Sequence, residues 1–179
     1  MQILVRPHPA HSHIYEAMQD DRLKVWPKGG GKLASESFMP DFRDTLEHAV
    51  AAFGINTSGL FNAVIVDRPC LTVLAPRYRE TQAEAAHFQH LLEADVLETC
   101  PSAMHLADRL ERIGDGEDMK AVQRQRFVET WIRPRGIKHP AGRWVARAIE
   151  LLALGHDAGS IEAVLDGSQP IADAKPHAS

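Results

Sequence analysis

The sequence predicts an α/β fold: a single Rossmann-like domain with a doubly wound parallel sheet and extra helices at its carboxyl end. Three observations lead there. Short apolar segments at Gln2 to Val5, Leu23 to Trp26, Phe53 to Asn56 and Leu71 to Leu74 alternate with stretches of helical periodicity. Cys70-Leu71-Thr72-Val73-Leu74 is a continuous run with β-branched members, the pattern of a parallel strand covered on both faces. After a short strand at Asp95-Val96-Leu97-Glu98, only helical and turn patterns follow, so the terminal helices should pack around one edge or face of the sheet.

In order, Gln2 to Val5 is the first strand and Arg6-Pro7-His8-Pro9 a rigid turn after it, with a proline on each side of His8. His13 to Asp20 reads as a short helix and Leu23 to Trp26 as the second strand. Lys28-Gly29-Gly30-Gly31-Lys32 lacks Walker spacing and reads as a flexible loop with two cations. Asp41 to Ala52 is a helix, with Phe42, Leu46, Ala49, Val50 and Phe53 at helical spacing. Phe53 to Asn56 is a buried strand end, and Thr57 or Ser58 caps the helix that follows. Arg68-Pro69 stops that helix, because proline pushes the residue before it out of the helical region.

After the strand at Leu71 to Leu74, Ala75-Pro76-Arg77-Tyr78 is a loop, and Thr81 to Ala94 a helix. Helices are expected at Pro101 to Ile113, with Ser102 at the start, at Glu117 to Ile132, broken by Pro134-Arg135-Gly136, and at Gly142 to Leu154. Residues 1–166 form the expected domain. Residues 167–179 are small, polar and proline-bearing, and are expected to be disordered.

With 179 residues, 44% hydrophobic and 25% charged, the chain has enough apolar material for one real core. A net charge of −4 argues against a nucleic-acid surface. Two cysteines, Cys70 and Cys100, make no disulfide framework, which suits a reduced, cytoplasmic setting. No run of about 18 apolar residues suggests a membrane span, and the chain opens on strand residues with no signal-peptide pattern.

The candidate site lies where strands end. In open parallel sheets, ligands bind outside the carboxyl ends of the strands, and two turns fall there. Asn56-Thr57-Ser58-Gly59 offers free N–H groups and two hydroxyls at a helix start, a site for phosphate, although Thr57 and Ser58 serve equally as a plain cap. His8 can donate to a phosphate and stabilise charge as a bond breaks, or simply bond nearby backbone. Arg6 fits a bidentate phosphate contact as well as a solvated charge. Arg77 and Arg79 sit on a loop facing the same edge and fit a solvent-exposed role better than a ligand contact. His8, His11 and His13 crowd one turn, and His87 and His90 lie three apart on a helix. No Cys or paired carboxylate completes a zinc signature, so no metal is expected. His87 reads as a helix-surface histidine that can reach toward the strand ends. Cys70 has no evident catalytic partner.

Val5-Arg6-Pro7-His8-Pro9, Phe53-Gly54-Ile55-Asn56-Thr57-Ser58-Gly59 and Arg68-Pro69-Cys70-Leu71-Thr72 together resemble the carboxyl-terminal half of GT-B glycosyltransferases of bacterial surface polysaccharide synthesis. The His-Pro turn paired with a Thr/Ser turn is also similar to bacterial sialyltransferases and teichoic acid glycerophosphotransferases. The resemblance spans about residues 1–150. It implies half of a GT-B fold that binds a nucleotide-sugar donor without a further cofactor. It implies His8 as the catalytic residue, Arg6, Asn56, Thr57, Ser58 and Gly59 around the donor phosphate, and Asn62 and Arg77 near the ribose or sugar. Two departures accompany it. GT-B enzymes set their active site between two Rossmann-like domains, and the amino-terminal half has no counterpart here. Asn62 stands where related sequences often place the Glu that holds the ribose, and it brings hydrogen bonds but no charge.

Two functions follow. One is the donor-binding half of a glycosyltransferase. Alone it would bind donor but hardly enclose an acceptor or exclude water. It would need a partner amino-terminal domain or chain, and it would expose a surface prone to self-association. The other is a non-catalytic Rossmann-like phosphate, nucleotide or interaction module left from a truncated enzyme.

Overall fold

We describe a computed structural model of the chain, covering residues 2–15, 17–18, 20–27, 37–138 and 140–166. The glycine-rich loop at Lys28 to Lys32 and the expected tail at 167–179 lie outside the described residues. The chain divides into two compact units, the first ending at Arg124 and the second beginning at Gln125.

The first unit is mixed α/β and every strand ladder in it is parallel. β1 (Ile3–Val5) pairs with β2 (Leu23–Val25), Ile3 opposite Leu23. Between them runs a 3-10 segment, Pro9–Tyr15, kinked at His11, instead of the helix expected at His13 to Asp20. Then come α1 (Phe38–Glu47), β3 (Ala52–Phe53), α2 (Gly59–Ile65), β4 (Cys70–Val73), α3 (Ala86–Glu93), β5 (Leu97–Cys100) and α4 (Ala103–Gly114), and α5 (Ala121–Phe127) runs through the division at Arg124.

The expected single sheet is corrected here. Among the described residues the strands form two sheets, β1-β2 and β3-β4-β5. β3 has only two residues of ladder, Ala52 opposite Cys70 and Phe53 opposite Leu71. α1 joins the sheets instead. Its Asp41 accepts from Arg6 after β1 and from Trp26 after β2, while its Phe42 abuts Gly59 at the start of α2.

Around β4 the three-stranded sheet is covered on both faces. Leu71 and Val73 point to one face, into a cluster with Cys100 on β5 and Leu106, Leu110 and Ile113 on α4. Cys70 and Thr72, one residue out of phase, point to the other. There the Cys70 thiol approaches the Leu60 carbonyl on α2 and Thr72 meets Gln82. Leu60, Ala63 and Val64 of α2 are buried. The double covering explains why β4 is buried along its length rather than on alternate residues, its one polar side chain, Thr72, being met by Gln82.

α4 begins as expected: Ser102 is extended and its hydroxyl accepts the His105 N–H. Two ion-pair groups close the unit. Arg109 takes the buried Glu98 carboxylate through Nε at 2.7 Å. Arg124, 1% exposed, takes Asp67 and Asp118. Asp67 follows α2 with φ 56°, a left-handed position that aspartate tolerates better than most side chains.

In the second unit the helix expected to Ile132 ends in a π-type turn, Val128–Ile132, and Gly136 takes φ 101° at the predicted break. α6 (Ala141–Ala153) matches the expected helix, and α7 (Ala158–Leu165) was not anticipated. Asp157 caps α7 by accepting the Ser160 N–H at 2.9 Å. Leu151 of α6 and Ile161 of α7 are buried.

Candidate functional site at the carboxyl ends of the strands

The sequence points to two turns, after β1 and after β3, and to the loop after β4. At β1, Arg6 leaves the strand and lays its guanidinium over the ring of Phe42, 5.3 Å from the centroid, with Phe38 at 5.9 Å. Its Nη1 donates to Asp41 at 2.6 Å and to Thr45 Oγ1 at 2.9 Å. Its Nη2 is buried with no hydrogen-bond partner among the described residues. The Arg6 guanidinium, helped by the Trp26 indole N–H, holds the Asp41 carboxyl below its usual range. Arg6 therefore acts inside the fold, tying α1 to β1, and its charge is already matched. His8 is exposed, with its ring 5.8 Å from that of His11 and its carbonyl accepting the His11 N–H.

At β3, the chain turns through Gly54, Ile55 and Asn56 to α2. The cap falls to Thr57, whose Oγ1 accepts the Gly59 N–H at 3.1 Å, while the Ser58 side chain makes no capping bond. Ser58 is exposed. Asn62 lies one turn further on, Nδ2 3.5 Å from the Ser58 carbonyl. A methyl group on Gly59 would sit 3.4 Å from the edge of the Phe42 ring. The same ring thus carries Arg6 on its face and the Asn56 to Gly59 turn at its edge, bringing two of the predicted elements to one place.

The segment from the end of β4 into α3 supplies two residues beyond those the sequence singled out for the site. Gln82 is 1% exposed and acts as a plug. Its Nε2 donates to the carbonyls of Ile55 (2.7 Å) and Val73 (2.9 Å), and its Oε1 accepts the Ala75 N–H. The ends of β3 and β4 are thereby held together from within. The second residue is His87, in the first turn of α3, whose Nε2 lies 2.7 Å from Asn56 Oδ1. The other end of the Asn56 amide donates to the Thr81 carbonyl. Asn56 therefore braces this loop, with both ends of its side chain engaged.

Gln82 also explains why the helix predicted from Thr81 starts only at Ala86. Residues 79–85 stay in turns that aim Gln82 inward, and Ala85 is extended at ψ 123°. Arg77 stacks on Tyr78, 4.5 Å from the ring centroid, and Arg79 pairs with Glu84 at 2.8 Å. Phe53, Ile55, Leu74 and Tyr78, at the ends of β3 and β4, are exposed by 48%, 47%, 39% and 41%, so the edge carries an apolar rim.

Cys70 takes no part. Burial pushes its thiol up to about 12, against the opposing pull of Arg124, and its Sγ donates to the Arg68 carbonyl. Among the described residues no helix is long and apolar enough to cross a membrane. Compared with protein-family models, curated proteins and solved structures, the chain gives no match.

Proposed function

We propose that this chain is the donor-binding half of a GT-B-like glycosyltransferase for bacterial surface polysaccharide, holding the phosphate of a nucleotide-linked sugar at the Asn56 to Gly59 turn. The observation that carries the reading is the junction of β3 and β4. Two parallel strands end side by side, Gln82 pins their exits, and the turn that follows leaves the Ser58 hydroxyl exposed at the start of α2. In this reading Ser58 and the turn N–H groups contact phosphate, and His8 stabilises charge on the leaving group. Asn62 and Arg77 lie toward the ribose and sugar. Thr57 shapes the turn. Arg6 supports it through Phe42 rather than touching the donor. A second Rossmann-like half, joined to this one or carried by a partner chain, would bring the acceptor and cover the apolar rim.

The alternative, a phosphate or nucleotide module without turnover, draws support from the engagement of Arg6 and Asn56, since it lowers the number of groups left to bind and polarise a donor.

Calorimetry with UDP, GDP and CMP tests the site. Loss of one hydrogen bond to a charged group costs about 1.5–3 kcal/mol, so Ser58→Ala or His8→Ala should weaken binding by roughly ten- to a hundredfold. Both side chains are exposed, so the fold should survive. A parent chain that binds none of the three, or two variants that bind as tightly as the parent, would overturn the reading. Turnover with a nucleotide sugar in the presence of the second half separates enzyme from module.

A further inference from the structure

We propose that His87 is a positioning residue of the donor site, fixing Asn56 and through it the turn after β3; the role rests on the donor-binding reading above. The Asn56 amide is held at both ends. Its Nδ2 donates to the Thr81 carbonyl and its Oδ1 faces His87 Nε2 at 2.7 Å. A carbonyl oxygen only accepts, so Thr81 decides which end of the amide is nitrogen. Oδ1 is then the atom presented to His87, and it too only accepts. His87 must therefore carry its proton on Nε2 to donate to it.

The direction of control follows from packing. His87 stands on α3, and its neighbours Phe88 and Leu91 are fully buried, so the helix is seated in the core. Asn56 stands on a turn whose residues 55–58 are all exposed. The rigid element holds the loose one. Gln82 grips the Ile55 carbonyl from inside, and His87 grips the next residue from outside. The two grips fix consecutive residues just ahead of Thr57, Ser58 and Gly59. A turn held before its ligand arrives loses less conformational freedom on binding, and affinity rises accordingly.

The test is calorimetry of UDP, GDP and CMP on the full chain and on His87→Ala, His87→Gln, Asn56→Ala and the His87→Ala/Asn56→Ala double variant, with thermal melts to verify folding. His87→Ala should weaken binding about three- to tenfold, the size of one ordinary hydrogen bond. His87→Gln, which keeps an N–H donor, should recover most of it. The double variant should bind no worse than the weaker single one, because both act through one contact. Full affinity in His87→Ala, no recovery in His87→Gln, or losses that add would overturn the role and leave the donor site standing. A parent that binds no probe overturns the donor reading, and the role falls with it. A long-range proton–nitrogen spectrum of the free chain at about pH 8.5, above the usual histidine range, gives an independent check. It should place the His87 proton on Nε2, shifting toward a mixture in Asn56→Ala; a proton on Nδ1 overturns the proposal without any ligand.

Discussion

Gly54 and Thr57 share one space: a methyl group on Gly54 would fall 2.5 Å from the Thr57 Cγ2. Gly54 is buried and its N–H bonds the Leu71 carbonyl at 3.2 Å, so its backbone is held in the ladder while Thr57 folds over it. The need is for room, not for an unusual dihedral angle. Thr57 is β-branched and stiff, and its Oγ1 is already engaged with the Gly59 N–H, so it yields only by opening the turn.

Gly54→Ala should therefore destabilise the chain by about 1–3 kcal/mol, the usual cost of overpacking, and should weaken nucleotide binding with it. Gly114→Ala is the contrast. Gly114 ends α4, and a methyl group there meets nothing within 4 Å. Helix propensity should then raise stability by about 0.5–1 kcal/mol. Urea midpoints of the two variants check both signs.

What could be read from the sequence was local. The β4 strand, the Ser102 cap and the break at Pro134-Arg135-Gly136 each depend on neighbouring residues, and each stands in the structure. Strand pairing is not local. An apolar run at Gln2 to Val5 says that a strand forms, but the partner depends on where α1 sits. The role of Arg6 is another case. Its place after a strand suggested phosphate, and only Asp41 and Thr45, one helix away in the chain, show that its charge is spoken for. Gln82 was hidden because a glutamine inside a helical pattern looks like a solvated face. α7 left a legible trace in Asp157 and Ser160, an acidic cap three residues before its partner.

Gln82→Leu keeps the volume and removes the donors. The carbonyls of Ile55 and Val73 then lose their N–H partner, at about 0.5–1.5 kcal/mol for each of these part-buried hydrogen bonds. The expected result is a clear loss of stability and faster hydrogen exchange at Ala75, whose N–H loses its acceptor. Unchanged exchange at Ala75 would show that the plug does not hold the loop.

Cys70 and Cys100 are both buried and free. With the Cys70 thiol raised to about 12, roughly one molecule in ten thousand carries the thiolate at pH 8. Cys100 is raised as well, by burial first and the Glu98 charge second. Neither should react with a disulfide reagent in the folded chain within minutes, and both should react at once in denaturant. Rapid labelling of the native protein would contradict the packing of β4 against α2 and of β5 against α4.

Asp118 accepts from Arg124 Nη1 at 2.9 Å and from Nη2, and that hydrogen bonding lowers its carboxyl below the usual 3.8 against the opposing effect of burial. A carboxyl lowered in the folded chain binds its proton more weakly there than in the unfolded chain. Its contribution is therefore complete above about pH 5 and fades as pH falls through 3.8 and then through the lower folded value. Asp118→Asn removes the charge while Asp67 still faces Arg124, so the loss near pH 7 should be about 1.5–3 kcal/mol, the range for a hydrogen bond between charged groups. The difference between parent and variant should stay constant from pH 7 to about pH 5 and shrink below pH 4, because acid protonates the parent's carboxylate and leaves the amide unchanged. Urea unfolding of both chains across this range measures it. A difference that widens toward acid would mean that Asp118 is not the charge that Arg124 relies on.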